Sequence, residues 1–455
     1  MKAGRLRVLA LMLADVLCLV SVWAFVVFSY HLVGLGKYEP TAYFQAWPVI
    51  IVFICVNAIS RLYHGLVTYP GMPLGRVEEF RRLILSALIT HLLVMAYLGF
   101  SREVEQISRF VLIASGLLTA ILAPVFRDLM RAWLKHLNIA QVPAFLVGEG
   151  EAADRLARQF SNEPYFGFHI ARRFSRDDLR EIVDAAQQMN VKHLFCCYRD
   201  DRLFRAQLST FTQQFTFIEY LPTIEAFPVA GARAIEVGTL GGLEMVNQRR
   251  MKILAWEKNV VDFLLSLIIF ICALPFFIVV PILIKLTSPG PVFYRAKRLG
   301  KMGRTIYVWK FRSMYADADQ RLQAVLDSDP ALKKEFARDF KLKHDPRVTP
   351  LGHFLRKTSI DELPQLFNVF KRDMALVGPR PIVEKEISYY GKAFEIFSSV
   401  RPGITGLWQS SGRNDMDYSS RVALDVYYVY NWSVWMDLWI VFRTILSVLM
   451  MRGSY

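Results

Sequence analysis

The chain has 455 residues, 54% of them hydrophobic, and its 55 Lys and Arg against 40 Asp and Glu give a formal net charge of +15. Soluble domains sit nearer about 45–50% apolar, so part of the chain belongs in lipid, and its length suggests two or three domains. The basic excess suits anionic lipid or an anionic substrate; with no zinc-finger, helix-turn-helix or RNA-recognition pattern, nucleic acid is not an expected partner.

Apolar runs of membrane length occupy residues 8–31, 46–63, 82–100 and 109–126. Lys2, Arg5 and Arg7 precede the first run, Arg61, Arg76, Arg81 and Arg82 separate the second from the third, and Arg127, Arg131 and Lys135 follow the fourth. The other two loops are poor in basic residues, so both ends of a four-span block over 1–135 are expected on the cytoplasmic side. Asp15 lies inside the first span, where a charge is costly; packing against a polar partner is favoured over a proton or ligand role. No cleavage site follows the basic start, which therefore reads as an anchor. The five cysteines show neither disulfide nor zinc spacing and fit a reducing compartment.

Residues 136–250 alternate strand and helix patterns. Strands are predicted at Gln141–Val147, His169–Phe174, Val191–Cys197 and Phe215–Tyr220, with a helix over Glu151–Phe160, which gives a doubly wound, Rossmann-like parallel sheet. Gly148, Gly150 and Ala153 match the G-x-G-x-x-A fingerprint at a strand-to-helix turn. Ala171-Arg172-Arg173 ends the second strand without an acidic residue for a ribose, so nicotinamide chemistry is disfavoured. A regulatory nucleotide site and a purely structural turn remain equal alternatives.

A fifth apolar run extends from Phe263 to Ile284, with Lys252 and Lys258 before it and Lys285, Arg295, Lys297 and Arg298 after it. Positive charge on both flanks suggests that both ends stay cytoplasmic. Pro275 near its centre removes a backbone donor, with Ser266 available to bond a freed group, so a re-entrant helix over 259–286, broken near Leu274-Pro275, is expected rather than a kinked span.

From Arg295 the chain is dense in charge, Gly and Pro. Lys310-Phe311-Arg312 follows a short strand pattern. Arg356-Lys357-Thr358-Ser359-Ile360-Asp361-Glu362-Leu363-Pro364-Gln365-Leu366 comes next, then Val377-Gly378-Pro379-Arg380-Pro381, Arg401-Pro402-Gly403 through Trp408-Gln409, and Gly412-Arg413-Asn414. Arg beside Gly-Pro turns suits a multiply charged phosphate ligand. An adjacent acidic pair can hold magnesium, and carboxylates serve as nucleophiles toward phosphorus. Thr358 or Ser359 could cap a helix starting near Asp361. An Asp-Glu pair also favours a helix dipole without any catalysis, and basic residues beside an apolar run also bind headgroups, so the residues alone leave chemistry and structure evenly matched.

In these motifs the sequence from Lys252 to the C-terminus resembles the monotopic polyprenyl-phosphate phosphoglycosyl transferases, the bacterial sugar transferase family. With the spans and middle domain ahead of it, the chain is similar to the long members, the undecaprenyl-phosphate galactose phosphotransferases. The resemblance implies a mostly α catalytic domain over 251–455. It implies transfer of a hexose-1-phosphate, galactose first and glucose second, from a UDP-sugar to undecaprenyl phosphate with release of UMP, the first membrane step of O-antigen, capsule or exopolysaccharide assembly. Asp361 would be the nucleophile and Glu362 the Mg2+ ligand. Arg356 would bind a phosphate, and Lys310, Arg312, Arg380 and Arg401 would line the phosphate and nucleotide site. Asp425 and Asp437 match acidic family positions, with a structural role as open as a chemical one. A multi-pass protein of the bacterial inner membrane is implied, with its catalytic domain on the cytoplasmic face, in contact with membrane lipid, and homodimeric. Leu363–Phe370 and Leu438–Met451 fit interfacial helices or core packing equally. The competing readings are a nucleotide-sensing membrane regulator without transferase activity, and a glycosyltransferase that releases UDP.

Overall fold

The computed structural model describes residues 2–36, 39–40, 42–43, 47–63, 74–100, 107–139, 141–163, 165–175, 178–198, 201–221, 232–237, 240–245, 252–315, 317–318, 320, 322–323, 327, 345, 347–410 and 416–450. The run 412–414 singled out above lies outside them. The chain forms two compact units, Met1–Phe227 and Pro228–Tyr455. The expected boundary at 135/136 thus falls inside the first unit.

The first unit opens with α1 (Lys2–Leu32), α2 (Pro48–Ile59), α3 (Arg76–Phe100) and α4 (Arg109–His136). Of the four expected spans, the first, third and fourth are long and apolar enough to cross a membrane. The second is a helix of 12 residues. At about 1.5 Å per residue it reaches about 18 Å, short of a hydrocarbon core of about 30 Å. Pro48 starts α2 where the apolar run predicted helix from residue 46.

Side chains such as Cys18, Leu19, Phe53, Leu83 and Val111 fill the bundle interior. Asp15 is fully buried there, and it has the polar partners its position demands. Arg127 of α4 donates from Nε to Asp15 Oδ1 at 2.8 Å, Tyr63 from its hydroxyl to Oδ2 at 2.7 Å, and Asn57 from Nδ2 to the same oxygen at 3.0 Å. Arg127 Nη1 also donates to Glu79 of α3 at 2.9 Å, and Glu79 accepts from Arg131 at 2.6 Å.

The remainder of this unit is β1 (Val142–Gly148), α5 (Glu151–Asn162), β2 (Phe168–Phe174), α6 (Leu179–Met189), β3 (His193–Cys197), α7 (Asp201–Gln214) and β4 (Phe217–Tyr220). All four strands are parallel, in the order β2-β1-β3-β4, so the chain reverses direction across the sheet beside β1. Ala144, Phe145, Leu146 and Val147 are fully buried, which is why β1 reads as an unbroken apolar run. A Cβ at Gly148 would lie 2.3 Å from the Cys197 carbonyl oxygen, so the fingerprint's first glycine is required by packing. The turn is filled by its own side chains. Arg173 donates to Gly148 O and Asp154, and Ser175 donates to Glu149. With Glu149, Glu151 and Asp154 around it, the turn presents acid where an anionic ligand would need amides.

The bundle and the sheet are tied together. Arg7 of α1 donates to the Tyr165 carbonyl, the Tyr165 hydroxyl donates to Leu74 O at 2.6 Å, and Lys135 Nζ donates to Ser161 O at 2.9 Å.

The second unit begins with the antiparallel hairpin β5 (Ala232–Val237) and β6 (Leu240–Met245). Then comes α8 (Lys252–Thr287), which continues through both Pro275 and Pro281. The expected break at Leu274-Pro275 is therefore not an end of helix: a proline costs the bonds of one turn, and the helix resumes on either side. Ser266 does not repair that turn, since its buried hydroxyl has no hydrogen-bond partner among the described residues. Most of α8 is apolar and outward-facing, with Ile268, Ile278 and Leu286 more than half exposed.

Candidate active site

The hairpin of β7 (Phe293–Leu299) and β8 (Thr305–Phe311) carries the first basic motif. Alternation puts Ile306 and Val308 into the core, and Lys310 follows on the same face. Asn368 locks this strand to the segment that follows the acidic pair. Its side chain accepts from Trp309 N at 3.0 Å and donates to Tyr307 O at 2.8 Å.

The next helix, Pro350–Lys357, is capped by Thr349, whose hydroxyl accepts from Gly352 N at 2.9 Å. A Cβ at Gly352 would lie 1.9 Å from Ser313 O, so only glycine allows the helix to sit this close. That approach lets Arg356 Nε donate to Ser313 Oγ at 2.9 Å. Ser359 then adopts a left-handed conformation, φ 56°, and starts the 3-10 helix Ile360–Gln365. Neither expected cap forms. Thr358 donates back to Phe354 O, and the left-handed turn leaves Ser359 without a side-chain cap bond.

Asp361 is 7% exposed on this short helix. Burial raises its pKa to about 6, the Glu362 carboxylate adds to the rise, and Lys310 and Arg356 oppose it. Glu362 accepts from Lys310 Nζ through Oε1 and keeps Oε2 without a protein partner among the described residues. Burial lowers the Arg356 pKa, and Asp361 raises it. Four of the expected residues, Lys310, Arg356, Asp361 and Glu362, therefore form one cluster. A buried carboxylate in the field of two cations, with a second carboxylate next to it in sequence, can attack an electrophilic phosphorus or help hold a divalent cation.

Arg380 sits between Pro379 and Pro381, and its guanidinium lies 5.9 Å from the Trp408 ring. Arg298 connects it to the acidic pair. Burial and the Arg380 charge lower the Arg298 pKa, while Glu386 and Glu362 are among the groups raising it. Leu299 N donates to Ile382 O at 2.8 Å, which fastens the end of β7 beside the Arg380 loop. In the sequence Arg298 is one of the charges flanking the fifth apolar run and one of the basic residues that open the C-terminal third. Among five basic residues between 295 and 304 it carries no distinguishing pattern.

Arg312 and Arg401 bond to the C-terminal end of α8 and to its first turns, respectively. Arg312 is buried, and its Nη2 donates to Ser288 O and Oγ at 2.7 Å, at the end of α8. Its Nε and Nη1 are buried with no partner among the described residues. Arg401 donates to Asn259 and, at 3.4 Å, to Asp262, both on α8, so it ties the segment just before Gly403 to that helix. Lys258 completes this tie, with Nζ 2.8 Å from both Asp262 and Asp437 and 2.9 Å from Val377 O. Asp437 also accepts from Tyr428 and Trp432, at 2.8 and 2.9 Å, which makes it a fully bonded structural hub.

Strands β9 (Ala375–Val377) and β10 (Gly403–Thr405) pair in parallel. A Cβ at Gly403 would lie 2.1 Å from Gly378 N, so the Gly-Pro motifs serve close backbone packing here. The helix Leu366–Phe370 packs on α8, with Phe370 against Phe263 and Phe367 against Phe277 at 6.0 and 5.5 Å between ring centroids. In Val434–Leu449 the first half is core, with Trp439 and Ile440 buried, while Ile445 and Leu449 face outward.

Among the described residues no group of three or more His, Cys, Asp or Glu could hold a metal. Two hard carboxylates still fit Mg2+, which takes one or two carboxylates and completes its shell with water and substrate phosphate.

The sequence pattern described as "Bacterial sugar transferase" matches residues 253–451. The chain is 34% identical over 400 residues to the undecaprenyl-phosphate galactose phosphotransferase of Salmonella typhimurium, covering 83% of this chain and 82% of that protein. It is 27% identical over 430 residues to the UDP-glucose:undecaprenyl-phosphate glucose-1-phosphate transferase of Escherichia coli, covering 89% and 88%. The exopolysaccharide production protein ExoY of Sinorhizobium fredii is 47% identical over 199 residues, which is 44% of this chain and 88% of ExoY.

Proposed function

The chain belongs to the bacterial sugar transferase family, and we propose that it moves a hexose-1-phosphate from a UDP-sugar to undecaprenyl phosphate and releases UMP. Galactose-1-phosphate is the first choice, after the Salmonella relative, and UDP-glucose is the alternative donor, after the Escherichia coli one. The step serves surface-polysaccharide assembly, the process named for ExoY. The observation that carries the reading is the buried Asp361, on which the charges of Lys310 and Arg356 act, with Glu362 next to it in sequence.

Asp361 attacks the β-phosphorus of the donor. The bond to the α-phosphate oxygen breaks, UMP leaves, and the phosphosugar stays on the carboxylate. An oxygen of the lipid phosphate then attacks the same phosphorus, and Asp361 is restored. Arg356 binds the lipid phosphate; Lys310, Arg298 and Arg380 offset charge on the donor diphosphate. Glu362 would hold Mg2+, and the bound ion would neutralise phosphate charge. UMP rather than UDP should accumulate when purified protein is given UDP-galactose, Mg2+ and undecaprenyl phosphate. UDP as the nucleotide product would favour direct sugar transfer instead.

The same reading places a homodimer in the inner membrane with its catalytic unit on the cytoplasmic face, and α8 as a helix that enters the bilayer and returns. Supporting this, one globular unit contacts α8 along its length. Lys258 bonds to Val377 O near one end, Phe263 and Phe270 meet Phe370, and Ile284 packs with Phe311 and Leu355 at the other. Cysteines placed at Lys252 and at Arg298 should both label from the cytoplasmic side; opposite labelling would make α8 a full span.

A further inference from the structure

Arg356 is held by a residue outside the acidic cluster. Ser313 Oγ accepts from Arg356 Nε at 2.9 Å, across 43 positions of sequence. Ser313 is buried, and its backbone is fixed from two sides. Thr349 N donates to Ser313 O at 3.1 Å, and Gly352 lies against the same carbonyl, where a Cβ would come within 1.9 Å. The residues that follow are stitched to the same strand: Met314 bridges to Val348, and Tyr315 N donates to Arg347 O at 2.9 Å. A bond at Nε fixes the plane of a guanidinium and leaves both Nη groups, the edge that matches two phosphate oxygens at once. Arg312, the residue before Ser313, is turned the other way, with Nη2 bonded to Ser288.

The helix Pro350–Lys357 has its own seat without that bond. Thr349 caps it, and Leu355 is fully buried with Val280 and Ile284 of α8. Leu355 directly precedes Arg356, and Ile360 and Leu363 pack on the same cluster. Toward the acidic pair, Ser359 N donates to Arg356 O at 3.1 Å, and Glu362 N to Ser359 O at 3.2 Å. Arg356 is thus joined on one side to the helix read above as entering the bilayer and on the other to Asp361–Glu362. A phosphate carried on a membrane lipid fits that position better than one carried on a soluble nucleotide.

We infer that Ser313 is a positioning residue whose hydroxyl, bonded to Nε, turns the Nη groups of Arg356 to the phosphate of the lipid acceptor. This rests on the acceptor reading above. It assigns Ser313 no contact with the reacting atoms; it acts through Arg356.

The test is equilibrium binding of farnesyl phosphate, a short prenyl phosphate, to the full chain in lipid nanodiscs, with farnesol as the tail-only control. UDP binding and UMP release are measured on the same preparations. Ser313→Ala keeps the backbone contacts of residue 313 and should weaken farnesyl phosphate binding about tenfold, the effect of one hydrogen bond to a charged group. UDP binding by the same variant should stay within about twofold of wild type. Arg356→Lys keeps the charge but has no Nε; it should lose at least as much, and adding Ser313→Ala should cost nothing further. In the full reaction Ser313→Ala should raise the KM for undecaprenyl phosphate and leave the KM for the UDP-sugar unchanged. The inference is overturned if wild-type protein binds farnesyl phosphate no better than farnesol, or if Ser313→Ala binds it like wild type. It is equally overturned if UDP binding falls as far, if the effect multiplies with that of Arg356→Lys, or if Ser313→Ala fails to fold. Wild-type protein that binds farnesyl phosphate in this pattern but releases no UMP would refute the transfer reaction and leave the inference standing.

Discussion

Asp361→Asn should lower UMP release by at least about 10³-fold, the scale on which removal of a nucleophile is felt. The amide has the same shape and cannot form the bond to phosphorus. Folding should be untouched. Asp361 is buried, and burial disfavours its charged form, so a neutral side chain of equal volume removes a penalty. Lys310 keeps its bond to Glu362 and Arg356 its bond to Ser313, so neither cation is stranded. The variant should therefore show wild-type thermal unfolding and bind UDP, while producing neither UMP nor a lipid-linked sugar. Activity within tenfold of wild type would remove Asp361 from the chemistry.

Arg127→Ala should destabilise the first unit by about 3–5 kcal/mol, the usual cost of taking one member from a buried ion network. Arg127 is fully buried and bonds Asp15, Glu79 and the Leu62 carbonyl at once. Among the described residues its loss leaves Asp15 with only the Tyr63 and Asn57 donors in an apolar interior, and Glu79 with Arg131. Adding Asp15→Asn should recover part of the loss, because the stranded charge causes it. By contrast Arg81→Ala, which breaks a half-exposed pair with Glu78, should cost less than about 1 kcal/mol. Thermal unfolding in matched nanodiscs compares the three. An Arg127→Ala protein as stable as wild type would mean that the network is not formed in the membrane.

The elements legible in the sequence were those with strong periodicity. The first, third and fourth apolar runs, and strands β1 to β4, emerged where hydrophobic pattern and turn residues agreed. The polar partners of Asp15 were legible as a requirement but not by name, since they come from α2, α4 and the residues just after α2 and bond no nearer in sequence than 42 positions away. The second apolar run was read too long because hydropathy does not see where Pro48 starts the helix. Pro275 was read as a break in the helix because a proline rule cannot tell whether helix continues beyond it.

At the site, the acidic pair and its neighbours Lys310 and Arg356 were legible as a motif. Their cause was not: Gly352 against Ser313, the left-handed turn at Ser359, and Asn368 bridging to β8 are long-range fits. Arg401 sits in a motif that looks phosphate-binding, and its bonds to Asn259 and Asp262 on α8 were not legible there, because an arginine fork serves a protein carboxylate as well as a phosphate.

The central claim is a covalent phosphosugar on Asp361. The most direct measurement is mass spectrometry of the peptide containing Asp361 after incubation with UDP-galactose, or UDP-glucose, and Mg2+ in the absence of lipid phosphate. A hexose and one phosphate attached at Asp361, formed with release of UMP and discharged by adding undecaprenyl phosphate, is the predicted result. An unmodified peptide from protein that still makes lipid-linked sugar phosphate when the acceptor is supplied would contradict it.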